Sequence, residues 1–159
     1  LPYYISTPII MKLLEEKLEI DEIIVMVQKE VAQRLVAKTG TKDVGAITYA
    51  VEYFSEAEKV IDVPKESFIP SPKVESAVIK LKIRKEAYVQ VKDEKMLFDI
   101  IQKSFSQRRK TLVNALVNGK IVESKEKAEK IIKELNINEN IRGEKLTLED
   151  FARICNTIN

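Results

Sequence analysis

The chain has 159 residues and a formal net charge of +2, and with 45% hydrophobic and 33% charged residues it can bury a core and is not disordered. It contains no histidine and one cysteine, Cys155, which excludes an internal disulfide, argues against a zinc site or a histidine-based triad, and favours a reducing cytoplasm. No apolar run approaches the roughly 20 residues of a membrane span, so no membrane partner is expected.

The charge is unevenly distributed along the chain. Residues 73–110 contain 11 Lys or Arg and 5 Asp or Glu, whereas the rest of the chain contains 16 and 20. A basic segment of this kind favours a surface that faces a polyanion such as nucleic acid. An ordinary solvated face gives the same count, so charge alone leaves both interpretations open.

The first third of the chain predicts alternating helices and strands. Thr7-Pro8 predicts the start of a helix, with Thr at the N-cap and Pro at the first helical position. The run Ile23–Val27 is apolar on both faces, as expected of a central parallel strand. Apolar spacing predicts two further helices, over residues 30–38 and 47–54, and this order indicates an α/β layer architecture.

The next stretch predicts two strands joined by a proline-rich loop. A short strand over residues 57–63 ends at Pro64, and the prolines in residues 68–73 forbid regular structure there. Strict alternation over residues 77–84 predicts a strand with one buried and one basic face. We expect the two strands to form an antiparallel pair. The basic face would carry Lys80, Lys82 and Arg84.

The remainder of the chain predicts helices only. Helix caps are predicted at Asp93, Ser124 and Thr147, and another helix over residues 108–117, ending at Asn118-Gly119. We therefore predict an α/β domain over residues 1–84, a linker over residues 85–92 and a helical domain over residues 93–159.

Four stretches of the chain resemble one known family. Residues 1–8 (Leu-Pro-Tyr-Tyr-Ile-Ser-Thr-Pro) are similar to the Asn-Leu-Pro-Tyr motif of the ribosomal RNA adenine dimethyltransferases and the helix start after it. Residues 68–78 match the family's Phe-x-Pro-x-Pro-Lys-Val-x-Ser-x-Val signature, and residues 28–35 and 105–112 resemble two further segments. The resemblance is closer to the small-subunit enzymes than to the macrolide-resistance enzymes.

The resemblance implies both a fold and an activity. The fold would be the second half of a Rossmann-like methyltransferase sheet, followed by a small helical domain that binds ribosomal RNA. The activity would be transfer of methyl groups from S-adenosylmethionine to the exocyclic amines of two adjacent adenines in a small-subunit hairpin loop. The implied partner is the 30S ribosomal subunit or its RNA, in the cytoplasm during ribosome biogenesis, and no metal is implied.

The resemblance also implies site residues. The Leu1 carbonyl would accept a hydrogen bond from the adenine amine, and Pro2 would fix the turn. Tyr3 and Phe68 would sandwich the base, which must leave its stack to react. Tyr4 is expected only to cover an edge of the core. Orientation and hydrogen bonding would then supply catalysis without a strong base.

The resemblance assigns RNA contact to the basic segment. Arg108, Arg109 and Lys110 are expected at the start of a helix, where side chains and helix N–H groups both reach phosphates. Contacts from other parts of the chain would come from Lys73, Lys80 and Lys82. For the strand lysines, a solvated edge strand is an equally good explanation.

The sequence also departs from the family pattern. The motif's asparagine would stand immediately before Leu1, and no Gly-rich loop or ribose-binding acid is present for S-adenosylmethionine. We therefore expect an incomplete enzyme whose cofactor site lies mostly in a missing N-terminal half of its own domain, and an open sheet edge beside Ile23–Val27. The alternatives are a non-catalytic RNA-binding or ribosome-assembly factor, or a large-subunit adenine methyltransferase of the macrolide-resistance type.

Overall fold

The computed structural model describes residues 2–159, which form seven helices and three strands. The helices are α1 (Ser6–Glu15), α2 (Lys29–Val36), α3 (Ala46–Phe54), α4 (Glu94–Ser106), α5 (Leu112–Asn118), α6 (Lys125–Glu134) and α7 (Leu148–Ile158). The strands are β1 (Glu22–Gln28), β2 (Ser55–Val63) and β3 (Ser76–Ile83). Within this described part, no helix is long and apolar enough to cross a membrane.

The three strands form one sheet in the order β1-β3-β2. Strand β3 is antiparallel to both neighbours, which confirms the predicted pair on either side of the proline-rich loop. Among the described strands, β1 pairs antiparallel with β3 and has no parallel neighbour, and it lies at the sheet edge that was expected to be open beside Ile23–Val27. An apolar sequence does not encode the direction of the neighbouring strand.

The two faces of the sheet have different surroundings. Helix α2 packs against all three strands, and the β3 side chains Ala77, Ile79 and Leu81 on the covered face are fully buried. The opposite face carries Ile24, which is 61% exposed, and Ile61, which is 58% exposed. The register places Met26 and Ile61 on either side of Val78, so an apolar row crosses this open face among the described residues.

Helix α3 joins the sheet to the C-terminal helices. Tyr49 on this helix is fully buried, and its ring lies 5.3 Å from that of Phe105 and 5.2 Å from that of Phe151. Its hydroxyl donates a hydrogen bond of 2.7 Å to the Leu146 carbonyl. Burial raises the pKa of Tyr49 above its ordinary range, so the phenol keeps the proton that it donates.

A second set of bonds crosses between the same two parts of the chain. The Leu148 N–H donates to the Thr39 hydroxyl at 3.0 Å, and the Tyr53 hydroxyl donates to Glu94 at 3.0 Å. One hydrophobic cluster therefore includes buried residues from both sides of residues 85–92, a stretch without helix or strand. The domain boundary at residues 85–92 stays a prediction.

Three of the predicted helix starts are confirmed by their caps. The side chains of Asp93, Ser124 and Thr147 accept hydrogen bonds from backbone N–H groups at the starts of α4, α6 and α7. The predicted start at Thr7-Pro8 is wrong by two residues, since the N-cap is Ile5 and not Thr7. Helix α1 begins at Ser6, whose hydroxyl donates back to the Tyr3 carbonyl at 3.0 Å, and a 3₁₀ turn over Tyr3–Ile5 precedes it.

The predicted helix over residues 108–117 begins later than expected. Helix α5 starts at Leu112, because the Thr111 hydroxyl caps it by accepting from the Asn114 N–H at 3.3 Å. Residues 107–110 form a turn in which the Lys110 N–H donates to the Gln107 carbonyl at 2.9 Å. Arg108, Arg109 and Lys110 therefore lie before the helix. The expectation that they occupy the start of a helix, beside its free N–H groups, is wrong.

We expect Tyr49→Phe to lower the free energy of unfolding by about 1–3 kcal/mol, because the buried Leu146 carbonyl loses its donor. Urea unfolding followed by circular dichroism measures this change. Tyr53→Phe is the matched control, since its acceptor Glu94 is partly exposed and also pairs with Lys17 at 3.4 Å. A loss for Tyr49→Phe no larger than that for the control would contradict the prediction.

Candidate functional site

Tyr3 is held at both its backbone and its ring. The Tyr3 hydroxyl lies 2.7 Å from the Ser76 hydroxyl, and Ser76 is 1% exposed. The carbonyl of Tyr3 accepts the hydroxyl of Ser6, and the Ile5 N–H donates to the Pro2 carbonyl at 3.2 Å to close the turn. Pro2 lies at the start of the turn that carries Tyr3. Leu1 lies outside the described residues.

Tyr4 has a different environment from Tyr3. Its side chain is 85% exposed, so the expectation that Tyr4 covers a core edge is wrong. A 3₁₀ turn has three residues per turn, and neighbouring side chains on it therefore point in different directions. Of the two tyrosines, Tyr3 is the half-buried one and Tyr4 faces solvent.

Phe68 lies in a closed loop between β2 and β3. The loop begins with a 3₁₀ turn over Lys65–Ser67, and the Ser71 hydroxyl closes it by donating to the Lys65 carbonyl at 2.9 Å. Phe68 is half-buried, whereas Ile69 beside it is fully exposed. Within residues 2–159 the rings of Tyr3 and Phe68 do not stack on each other.

The two predicted stacking residues are connected through the start of β3. Ser76 is the first residue of β3 and is paired with Gln28 on β1 and Val63 on β2. Just before it, the Glu75 carbonyl accepts the Lys29 N–H at 3.0 Å, which joins the loop to the start of α2. Ser76 belongs to the signature at residues 68–78, but the sequence alone predicts no role for it, because its hydrogen-bond partner Tyr3 is 73 residues away.

The three basic residues at positions 108–110 differ in their contacts. The Arg108 guanidinium donates to the Val44 carbonyl at 3.2 Å and lies 5.7 Å from the ring centroid of Phe105. Arg109 and Lys110 are exposed, and in the described part of the chain neither forms an ion pair. Arg108 therefore holds protein atoms together, while the other two charges face solvent.

The lysines of β3 also differ from one another. Lys80 lies 3.6 Å from Glu22 and 3.5 Å from Glu58, so two carboxylates compensate its charge. Lys82 is exposed but is flanked in register by Glu22 on β1 and Glu56 on β2. These contacts make the open face mixed in charge and not uniformly basic.

The other predicted basic residues fall into two environments. Lys73 is exposed on the loop after Phe68, with no ion pair recorded among residues 2–159. Arg84 lies just after β3, where its Nε donates to the carbonyls of Glu52 and Ser55, both at 3.1 Å. Lys73 is therefore available to a ligand, and Arg84 is a structural residue.

A cleft that sequence reasoning missed lies beside Arg108. Its volume is about 360 Å³, and Lys42 and Lys145 contribute cations to its lining. Arg34 also lines the cleft but pairs with Glu30 at 2.8 Å. The cleft lies between the loop before α3 and the turn before α7. These segments are about 100 residues apart, so no local sequence pattern predicts the cleft.

Two of the four glycines do not leave the backbone open to a cofactor. A dinucleotide or nucleoside cofactor usually needs glycines that leave the backbone open to its approach. Here a Cβ on Gly40 would lie 3.1 Å from Thr147 Cγ2, and one on Gly143 would lie 2.6 Å from Ser104 Cβ. These glycines serve close packing within the protein. Residues 2–159 also contain no cluster of three or more acidic, His or Cys side chains that could hold a metal ion.

Solved structures confirm the predicted fold class. A dimethyladenosine transferase from Plasmodium falciparum superposes with a TM-score of 0.79 at 25% identity, covering 97% of this chain and 62% of that one. The 23S rRNA methyltransferase ErmE superposes with a TM-score of 0.67 at 18% identity, covering 97% and 61%. The short antiparallel sheet followed by helices is therefore part of a Rossmann-like methyltransferase fold.

Curated relatives and a family profile give the same result at the level of sequence. Two ribosomal RNA small subunit methyltransferases A, from Geobacillus sp. strain WCH70 and Alkaliphilus metalliredigens, are 51% and 46% identical, each over 99% of this chain. The chain spans about half, 55%, of the length of each relative. The profile of the family described as "Ribosomal RNA adenine dimethylase" matches residues 1–159. The chain belongs to the ribosomal RNA adenine dimethylase family.

Proposed function

We propose that this chain is the C-terminal portion of an enzyme that methylates the exocyclic amines of adenines in small-subunit ribosomal RNA. The observation that carries the proposal is the Tyr3–Ser76 hydrogen bond, which joins the aromatic N-terminal turn to the loop that presents Phe68. Family membership and the similarity to small-subunit methyltransferases support this substrate class. The proposed location is the cytoplasm.

Tyr3 and Phe68 hold the target base in this proposal. An adenine that leaves its stack loses stacking energy, and an aromatic side chain restores about 1–3 kcal/mol per base. Both rings are half-buried, so each is anchored by the protein and retains exposed area for a ligand. In this proposal the Leu1 carbonyl accepts a hydrogen bond from the adenine amine, and Pro2 holds the turn that presents Tyr3.

Phosphate contact is assigned to the cations that the protein leaves free. Arg109, Lys110 and Lys73 are exposed without ion pairs in the described chain, and they suit a phosphate backbone. Arg108 and Lys80 are engaged with protein atoms, so their part in RNA binding is smaller. Lys82 is a secondary contact because two acidic residues flank it in register.

The methyl donor is bound by the rest of the catalytic domain in this proposal, because Gly40, Gly119 and Gly143 are closely packed against other residues. The row of Met26, Val78 and Ile61 on the open face of the sheet supports a partner segment there. That segment is the N-terminal half of the same domain. S-adenosylmethionine supplies the methyl group when bound there, and the residues of this chain orient the acceptor.

We expect Tyr3→Ala, in the full-length enzyme that carries this segment, to lower kcat/KM by about 10- to 100-fold, because loss of stacking removes about 1–3 kcal/mol. The assay is transfer of tritiated methyl groups to small ribosomal subunits isolated from cells that lack the modification. Tyr4→Ala is the matched control, an exposed tyrosine one residue away, and we expect a much smaller loss.

Purified large subunits are the second arm of the same assay. The proposal requires incorporation into small subunits and at most background incorporation into large subunits. Incorporation into large subunits alone would replace it with a macrolide-resistance type of activity. Binding without any incorporation would favour a non-catalytic assembly factor.

We expect the double variant Arg109→Ala/Lys110→Ala to weaken RNA binding and to make the slope of log K against log salt shallower by about 1.4 to 1.8, because about two phosphate contacts are lost. Filter binding at four salt concentrations measures the slope. Lys127→Ala/Lys130→Ala on α6 removes the same charge from exposed positions outside the proposed footprint. Equal slopes for the two double variants would show that the effect is one of net charge only.

A further inference from the structure

The hydrogen bond between Tyr3 and Ser76 joins two separate sequence motifs, residues 1–8 and residues 68–78. Ser76 is 1% exposed, and its hydroxyl lies 2.7 Å from that of Tyr3. Among residues 2–159, Tyr3 is the one side-chain hydrogen-bond partner recorded for Ser76. A buried hydroxyl without a partner is costly, so each residue stabilises the position of the other.

The hydrogen bond to Ser76 can fix the orientation of the Tyr3 ring. A phenol makes its hydrogen bond close to the plane of its ring, so the bond restricts the tilt of Tyr3 without covering either face. Ser76 itself is fixed by strand pairing on both sides, with Gln28 and with Val63. The ring is therefore fixed to the first residue of β3, which is paired with a strand on each side, although Tyr3 lies in a short 3₁₀ turn.

We propose that Ser76 is a positioning residue, whose hydroxyl sets the ring of Tyr3 at the angle at which the extruded adenine stacks. This inference rests on the proposed function, in which Tyr3 forms one wall of the base pocket. Phe68 precedes Ser76 in the same loop-to-strand segment, so the bond also fixes the Tyr3 wall relative to the segment that carries the second wall. Ser76 itself touches no substrate in this arrangement.

A positioning role predicts a specific kinetic pattern. RNA binds mainly through phosphate contacts elsewhere on the surface, so KM for the RNA substrate reports those contacts. The angle of the Tyr3 ring matters after binding, when the base is held for reaction, and it therefore acts on kcat. A purely structural role of Ser76 would lower stability without this division between kcat and KM.

The test is a double-mutant cycle in the full-length enzyme, assayed by methyl transfer to small subunits. We expect Ser76→Ala and Tyr3→Phe each to lower kcat by about three- to tenfold, the effect of one hydrogen bond, with KM changed by less than about twofold. The combined variant should be no slower than the slower single variant, because both remove the same bond. Ser76→Thr keeps the hydroxyl and should restore most of kcat.

A second buried serine provides the matched control for lost stability. Ser55 is also 1% exposed, and its hydroxyl donates to the Val51 carbonyl at 2.8 Å, away from Tyr3. Ser55→Ala should lower the unfolding midpoint while kcat, measured well below that midpoint, stays at the wild-type value. A kcat loss for Ser55→Ala equal to that for Ser76→Ala would overturn the positioning role.

The outcomes separate this inference from the proposed function. Wild-type kcat in Tyr3→Phe and Ser76→Ala, together with a large loss in Tyr3→Ala, overturns the role of Ser76 alone. Additive losses in the double variant also overturn it, because they show two independent effects. Wild-type activity in Tyr3→Ala overturns both, since Tyr3 would then not hold the base.

Discussion

The structure depends on the packing of α3, which contacts β2 of the sheet and, through the buried Tyr49, the C-terminal helices. The Tyr49 ring contacts Phe105 on α4 and Phe151 on α7, and its hydroxyl satisfies the carbonyl of Leu146. Because α3 packs against both layers, neither layer can easily move relative to the other. The loop that precedes α3 and the turn that carries Arg108 are brought together by this packing, and the Arg108–Val44 bond follows from it.

The candidate site is built where irregular segments meet this rigid frame. Both aromatic residues lie outside helices and strands of ordinary length, yet each is tied to the start of β3, Tyr3 through Ser76 and Phe68 through the loop that leads into it. Irregular backbone places the two rings, and the attachment to the sheet fixes their position. Among the cations, the protein uses Arg108 and Lys80 for its own cohesion and leaves others to solvent.

Most features encoded by neighbouring residues were predictable from the sequence, although the starts of α1 and α5 were misplaced, and features that need distant partners were not. The caps at Asp93, Ser124 and Thr147 and the loop around the prolines depend on short stretches, and their positions are confirmed. The direction of the β1 pairing depends on β3, some fifty residues further along, and the apolar pattern cannot encode it. Likewise, the alternating pattern predicted that Lys80 lies on a basic face, whereas carboxylates on the two neighbouring strands compensate its charge.

The two edges of the sheet have opposite properties, and this determines the direction in which the sheet can grow. Strand β2 has a register irregularity between Lys59 and Ile61 and exposes charged side chains along its length, features that prevent another strand from adding. Strand β1 pairs with β3 without interruption over seven residues and is apolar in its centre. A further strand can therefore extend the sheet beyond β1, whereas the bulge and exposed charges of β2 oppose the addition of a strand at the other edge.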